Sequence, residues 1–439
     1  MAARRGHRCA ARPPHPCRAR RGLAHAIARN LDGCMTGPLA GLKVLDLSHY
    51  VAGPYCAMML GDMGADVVKV ERPDVGDPLR RFGPAIEGRG LYAMMQNRNK
   101  RSVAIDLARP AGQRLLRALA GQADVLVENF RPGVLERLGC APDILHADNP
   151  RLVIARISGF GQDGPLAQQP CFDVVAQAMS GLMEMTGAAD GPPHMAGTVV
   201  CDYTTAMNAV IGILAALQSR NVSGRGQVVD VALLDVATSM LMTAIPEQIL
   251  FGRPATRRGN RDRFSAPTNS YRTADARWVH LVTASDPAFA RLAAAMGRPA
   301  LARDARFATT AARLENVDDV DGEVARWIAS LSAADAVSAL NRIDIPCALV
   351  ATLDEVVANP QLRHRRQVTS VEHDTIGPIP TAGVTIRLSD TPLTIRSAMP
   401  DVGQHTAEVL SSWLAYGAGD IARLSGEGAI AVPQASSNA

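Results

Sequence analysis

Two kinds of residue in this chain stand in settings suited to chemistry: carboxylates at the start of apolar helical runs, and cations at the ends of short strands. Asp202 leads the first group. In Gly197-Thr-Val-Val-Cys-Asp202-Tyr it sits where a β-branched run gives way to Met207, Val210, Ile211, Leu214 and Leu217. That spacing predicts a helix with one apolar face against a core. A carboxylate there either caps the helix, accepting the orphan amides of its first turn, or is held at the positive end of the helix as a nucleophile. Asp173 opens a second such run, Val174, Val175, Ala178, Met179 and Leu182, and poses the same choice. Local pattern alone favours the cap for both.

The cations stand in loops. Arg72 follows Asp66-Val-Val-Lys-Val-Glu71, where doubly wound folds place a cation for a ribose-linked phosphate, though a solvated strand end fits equally. Asn97-Arg-Asn-Lys-Arg101 reads first as a solvated basic face. Glu128-Asn-Phe-Arg-Pro-Gly133 follows another strand. Several anion-suited elements at one sheet edge, with an aromatic among them, point to a phosphate-bearing ligand with a stacking base. The first βα loop holds only Gly53, so a dinucleotide fingerprint is absent. The Gly-rich run Ser158–Pro165 lacks the Lys and Ser/Thr of a P-loop. A cysteine nucleophile would be Cys201 or Cys171 with His194 or His49, but no spacing fixes a pair. The scattered cysteines, with no C-x-x-C, indicate reduced thiols in a cytoplasm, no zinc site and no metal.

The elements that must position these residues alternate between strand and helix. Lys43–Leu47, helix Tyr55–Met63 and strand Asp66–Glu71 form a βαβ unit. Strand Ser102–Ile105, helix Pro110–Ala120, strand Asp124–Val127, helix Val134–Leu138 and strand Leu152–Ile157 continue it as a Rossmann-like parallel sheet. After the tight turn at Ser223–Gln227 come strand Val228–Leu233 and helical Asp235–Ile245. Arg253–Arg263 carries five arginines with Pro254, Gly259 and Asn260, which marks a boundary. Strand Trp278–Thr283 and Ala-rich helices then make a smaller α+β unit. The expected organisation is a basic extension over 1–36, the N-terminal part of a large domain over 37–233, a linker over 234–259 and a small domain over 260–340. A second linker over 341–370, the rest of the large domain over 371–424 and a frayed tail over 425–439 follow.

Residues 1–34 hold eight Arg and one Asp, so the body of this +4 chain is mildly acidic, which argues against a nucleic-acid partner. The extension resembles either an Arg-rich transit peptide or a translated leader ahead of Met35. Pro13, Pro14 and Pro16 spoil an amphipathic helix and favour the leader. No run of about 18 uninterrupted apolar residues is present, and no membrane partner is expected. Lysine occurs only at Lys43, Lys69 and Lys100, against 43 arginines, which reads as a coding bias.

In order along the chain, these stretches resemble the class III CoA-transferase family, which includes formyl-CoA:oxalate and carnitine CoA-transferases and has α-methylacyl-CoA racemase as a cousin. The matching pieces are Lys43-Val-Leu-Asp-Leu, Ala52-Gly-Pro, Gly64-Ala-Asp-Val-Val-Lys-Val-Glu-Arg-Pro73 and Asn99-Lys-Arg-Ser102. Glu128–Gly133, Gly159-Phe-Gly-Gln-Asp-Gly-Pro165, Thr186-Gly187, Gly224-Arg-Gly-Gln227 and the Gly259-Asn260 loop complete the series, from about Leu39 to Leu414. The resemblance implies an α/β fold: a Rossmann-like large domain built from both chain ends, a smaller α+β domain, and a homodimer of interlocked rings. It implies acyl-CoA and carboxylic acid as substrates, with no tightly bound cofactor. Carried over, Asp202 falls on the catalytic aspartate, while His49, Tyr50, Val51 and Ala52 fall on the loop along the pantetheine and thioester. Arg72 and Arg137 fall on phosphate-holding positions, Asn129 and Phe130 beside the adenine, and Ile105 near the same end as an apolar contact. Asp173 falls on an acidic position near the active site, with Tyr50 and Gly259 as further support. Amides near Gly53 or Gly259 would hold the oxyanion, and the helix end would keep Asp202 ionised.

Two departures matter. The racemase uses a catalytic His where this chain has Phe172, which cannot move a proton. The four-glycine loop of the formyl-CoA enzyme is replaced by Arg258-Gly-Asn-Arg261, which disfavours oxalate and suits a dicarboxylate, with succinyl-CoA as donor. A non-catalytic acyl-CoA-binding protein would have no use for Asp202.

Overall fold

In the computed structural model, residues 37–432 are described; the basic extension 1–36 and residues 433–439 lie outside them. A seven-stranded sheet organises the chain. Its strands are β1 (Lys43–Asp46), β2 (Asp66–Glu71), β3 (Lys100–Ile105), β4 (Val125–Glu128), β5 (Val153–Ser158), β6 (Val228–Ala232) and β7 (Ile430–Ala431). Their spatial order is β7-β3-β2-β1-β4-β5-β6, parallel throughout except for β7. Val44 pairs with Val67 on one side and Val125 on the other, so the chain winds outward from β1 in both directions. Between β1 and β4 lies the switch point where such sheets leave a crevice at the strands' C-terminal ends.

Both faces of the sheet are covered, and the apolar strand interiors Val44–Leu45, Val67–Val68, Val103–Ile105, Val125–Val127 and Val153–Ala155 are buried. One face packs α1 (Ala52–Asp62) and, later in the chain, α4 (Val200–Ser223); the other packs α2 (Pro110–Gln122) and the helix Thr406–Leu414. Between β5 and α4 runs α3 (Asp173–Ser180), and α5 (Leu233–Ser239) and α6 (Ala244–Phe251) follow β6. By composition α4 is long and apolar enough to cross a membrane, yet Ala206, Ala209, Ile213 and Ala216 are buried in the core. Its small residues let it lie close to the sheet: a Cβ on Gly212 would come within 2.6 Å of Val229.

A three-stranded antiparallel sheet, in the order Cys347–Leu349, Trp278–Val282, Thr268–Arg272, carries the second core. Leu292, Val324, Ile328 and Leu340 from three helices cover it.

Several expectations are corrected. The Asn97–Arg101 run is no solvated face: Asn97, Arg98, Asn99 and Lys100 are buried, because its polar groups are claimed by Asp46, Asp62 and backbone carbonyls. The supposed tail begins inside the helix Ala418–Gly426 and then supplies β7, paired with Ile105 and Ala104. The supposed 341–370 linker contributes Cys347–Leu349 to the second sheet, and the supposed 234–259 linker holds α6 and most of α5. The apolar face assigned to α4 is only partly right. Val210 and Leu217 are buried, whereas Met207 and Ile211 are exposed, and alanines fill the core face instead.

Candidate functional site

A cleft of about 330 Å³ opens at the switch point, over the ends of β1, β4 and β5. Three loops reach it: Tyr50–Ala52 after β1, Asn129–Pro132 after β4, and Ser158–Gly159 after β5. Asp202 and Phe172 complete its lining, beside the contact of Tyr203 with Tyr55 of α1.

The β1 loop is built tightly. Tyr50 has φ +62°, a left-handed conformation that non-glycine residues seldom adopt. A Cβ on Gly53 would sit 2.2 Å from that of Ser48, so only glycine fits where α1 turns back against the strand end. Asn129 brackets His49: its Oδ1 accepts from the His49 amide at 2.8 Å and its Nδ2 donates to the His49 carbonyl at 2.7 Å. The His49 ring lies on Phe130, centroids 5.5 Å apart. Burial, then the Lys69 charge, pushes His49 down, which favours the neutral imidazole. No side chain caps α1, which leaves its first amides without intrahelical partners beside the cleft-lining Ala52.

Beneath the loop lies a buried ionic cluster. Lys100 donates to Asp46 at 2.8 Å, to Pro54 O at 2.9 Å and to Asn97 at 3.0 Å. Lys69 donates to Ser48 O at 2.7 Å and pairs with Asp77 at 3.1 Å. Burial pushes Lys100 down to about 8, despite Asp46. Burial also opposes the charge on Lys69, but Asp46, Asp77 and Glu71 outweigh it and raise that group. Asp46, though wholly buried, is held well below the usual carboxylate range by Lys100 and Lys69.

The two candidate aspartates divide the work differently from the expectation. Asp202 lies in the first turn of α4, two residues inside its start, and does not cap it. Asp173 does, from a neighbouring helix: its Oδ1 accepts from the amides of Cys201 at 2.7 Å and Asp202 at 3.1 Å. Gln177 fixes the other oxygen, donating to Asp173 Oδ2 at 2.5 Å. Asp202 is therefore left facing the cleft, and its carboxyl is pushed up to about 7, first by burial and then by the Asp173 charge. Both effects oppose the charge that the helix end was expected to favour.

Other assigned residues are placed as follows. Tyr50, Val51, Ala52, Asn129 and Phe130 line the cleft; His49 backs it. Phe172 is 59% exposed, with its ring edge-on to Tyr50 at 5.5 Å. Arg137 is exposed one turn after the β4 loop, its Nη1 3.4 Å from where a Gly133 Cβ would be. Arg72 is exposed, pairs with Asp74 at 3.2 Å and does not line the cleft. Ile105 is wholly buried in the core against α2. Gly259 is also outside the cleft lining; its amide donates to Gly187 O at 2.8 Å. Burial raises Cys171 to about 11 and Cys201 to about 12, and neither is hydrogen-bonded to a histidine among the described residues, so neither is an activated thiol. No group of three metal-ligating side chains occurs among the described residues. Sequence reasoning passed over Arg131, which lines the cleft within the same motif as Asn129, and over Lys69 and Lys100.

The model of the family described as CoA-transferase family III matches residues 39–406. A succinyl-CoA–D-citramalate CoA-transferase of Chloroflexus aurantiacus is 38% identical, covering 88% of this chain and 96% of its own. A succinate–glutarate CoA-transferase of Agrobacterium fabrum is 36% identical over 85% of this chain and 95% of its own. Among solved structures, a CAIB/BAIF family protein from Brucella suis superposes with a TM-score of 0.76 at 33% identity, over 86% of this chain and 100% of that one.

Proposed function

The chain belongs to CoA-transferase family III and is a CoA-transferase, and on that footing we propose that Asp202 carries the acyl and CoA groups between a donor thioester and an acceptor acid. The observation that carries this is the state of Asp202. Its amide is capped by Asp173 while its carboxylate faces the cleft, with a pKa pushed up to about 7. A carboxylate of raised basicity is a better nucleophile than an ordinary aspartate and is still ionised in good part near neutral pH.

Asp202 attacks the donor thioester carbonyl; the C–S bond breaks, giving a mixed anhydride and CoA thiolate. The thiolate attacks the aspartyl carbonyl, which forms an aspartyl–CoA thioester and expels the donor carboxylate. An acceptor carboxylate attacks that thioester, releasing thiolate again, and the thiolate then takes the acceptor acyl group and frees Asp202. No proton is exchanged at any step. The uncapped amides at the start of α1, next to Ala52, suit the oxyanion of each tetrahedral state. Arg131 and the exposed Arg137 suit the CoA phosphates, with Phe130 as a stacking surface. A racemase needs a base in place of Phe172, whose ring has no transferable proton.

The named activity of the Chloroflexus aurantiacus relative supports succinyl-CoA as donor. A homodimer is supported by the large apolar side chains left in the open on α4 and α6 and just before α6, Ile211, Met242, Ile249, Leu250 and Phe251 among them. Free thiols throughout the described residues support a reducing, cytoplasmic setting. The test is to incubate the enzyme with labelled succinyl-CoA and a panel of carboxylic acids, then add hydroxylamine. CoA should move to one class of acid, and hydroxylamine should mark Asp202 only when acyl-CoA is present. Transfer that persists at the wild-type rate in Asp202→Asn overturns the mechanism.

A further inference from the structure

The Ser48–Pro54 loop holds Tyr50 in a strained conformation at φ +62°, and such strain persists only where the surroundings over-determine it. Here four separate segments do so. Lys69 from β2 donates to Ser48 O at 2.7 Å, and Asn129 from the end of β4 brackets His49. Asp77 Oδ1 accepts from the Tyr50 amide at 3.2 Å, and Lys100 from β3 donates to Pro54 O at 2.9 Å. The two ammonium groups thus grip the two ends of the loop. Their charges are matched by Asp46 and Asp77, and both lysines are all but sealed from water, at 1% and 2% exposure.

The choice of residue is itself informative. A chain with 43 arginines and three lysines places two of the three here. Lys100 Nζ spends its three protons on three oxygens at 2.8 to 3.0 Å, an arrangement that suits a compact ammonium and not a planar, longer guanidinium. Burying two ions is expensive unless each is paired and hydrogen-bonded, and a hydrophobic contact would hold a strand end at least as firmly. What an ammonium adds is a directional grip on a carbonyl that no apolar side chain supplies.

We propose that Lys69 and Lys100 are positioning residues for CoA transfer, clamping the Ser48–Pro54 loop from below so that Tyr50 and the first amides of α1 are preset against the substrate thioester. This rests on the cleft being the transfer site. The experiment compares Lys69→Met, Lys100→Met and Lys100→Arg with wild type by two readouts. One is kcat per active site, with sites counted by hydroxylamine trapping on Asp202, alongside KM for succinyl-CoA. The other is hydrogen exchange of the amides of 49–53, with β4 and β5 as internal reference.

Expected are a fall of about tenfold or more in kcat per trapped site, little change in KM, and exchange at 49–53 about tenfold faster with β4 and β5 unaltered. Lys100→Arg should not restore kcat. A merely structural role would reduce the number of trapped sites and leave kcat per site unchanged, and that result overturns the proposal, as does unchanged exchange at 49–53. Should the Met variants not fold, Asp77→Asn keeps an acceptor for the Tyr50 amide but removes one charge facing Lys69. It should lower kcat per site severalfold, and a wild-type value overturns the proposal. Exchange is measured without turnover, so a failed transferase reading, in which wild type moves no CoA, is told apart from a failed clamp.

Discussion

Asp46, at the end of β1, and Asp202, on the cleft wall, meet opposite fates. Asp46 is wholly buried yet held ionised, because Lys100, Lys69 and Ser48 surround it with donors. Asp202 is less buried yet pushed up to about 7, first by burial that no cation offsets and then by the charge of another carboxylate, Asp173. Burial alone therefore does not decide what a carboxylate does. Partners do: the paired one is a fixture and the unpaired one is available for reaction. The contrast can be broken from either side.

The largest expected effect is on chemistry. Asp202→Asn should lower kcat by about a thousandfold or more, since the neighbouring carboxylate, Asp173, is buried and tied to the Cys201 and Asp202 amides and to Gln177, and steady-state transfer assays against succinyl-CoA read this directly. Activity within tenfold of wild type would mean the available carboxylate is not the reacting one. Asp46→Asn should strike the fixture instead. It leaves two buried ammonium groups short of a counter-charge, and chemical denaturation should show a loss of about 3 kcal/mol or more.

Next comes the coupling between the two aspartates at the cleft wall. The ionised form of Asp202 is the nucleophile, so kcat/KM should rise with pH through about 7 and level off above it. Asp173→Asn keeps an oxygen for the capped amides of Cys201 and Asp202 but removes the second cause of the upward shift. The inflection in kcat/KM should then move to lower pH while the plateau changes less. An unmoved inflection would leave burial as the sole cause.

How much of this was legible in the sequence follows from what kind of contact is involved. The parallel sheet was, because β1 to β5 each hold a short apolar stretch and helical periods recur among them, and β2 was bounded to the residue. Asp202 was singled out because a charge at the onset of an apolar helix is visible locally. Its cap was not, because the capping oxygen comes from Asp173, twenty-eight residues from Cys201, whose amide it accepts from. The buried lysines were missed for the same reason. Asn97–Arg101 is as polar as any surface loop, and only its distant partners Asp46, Asp62 and Pro54 O make it interior. β7 was lost in an apparent tail because two residues carry no periodicity.

The smallest effect sharpens the comparison most, because it reads Asp202 without turnover. A carboxyl whose folded-state pKa lies above its unfolded value binds more protons folded than unfolded between the two. For Asp202 the window runs from about 4 to about 7, and stability is lost as pH rises through it. Wild type therefore carries an ionised, poorly solvated Asp202 at pH 8 that it does not fully carry at pH 5.5. Asp202→Asn removes that charge at every pH, so it should be more stable than wild type by on the order of 1–2 kcal/mol at pH 8, and by less at pH 5.5. Asp46→Asn should show the opposite sign at both values, since its native carboxylate is favoured by its partners. Equilibrium denaturation of both variants at the two pH values measures this. If Asp202→Asn is destabilising at pH 8, the Asp202 carboxylate is as well paired in the fold as Asp46, and the distinction between fixture and reactant fails.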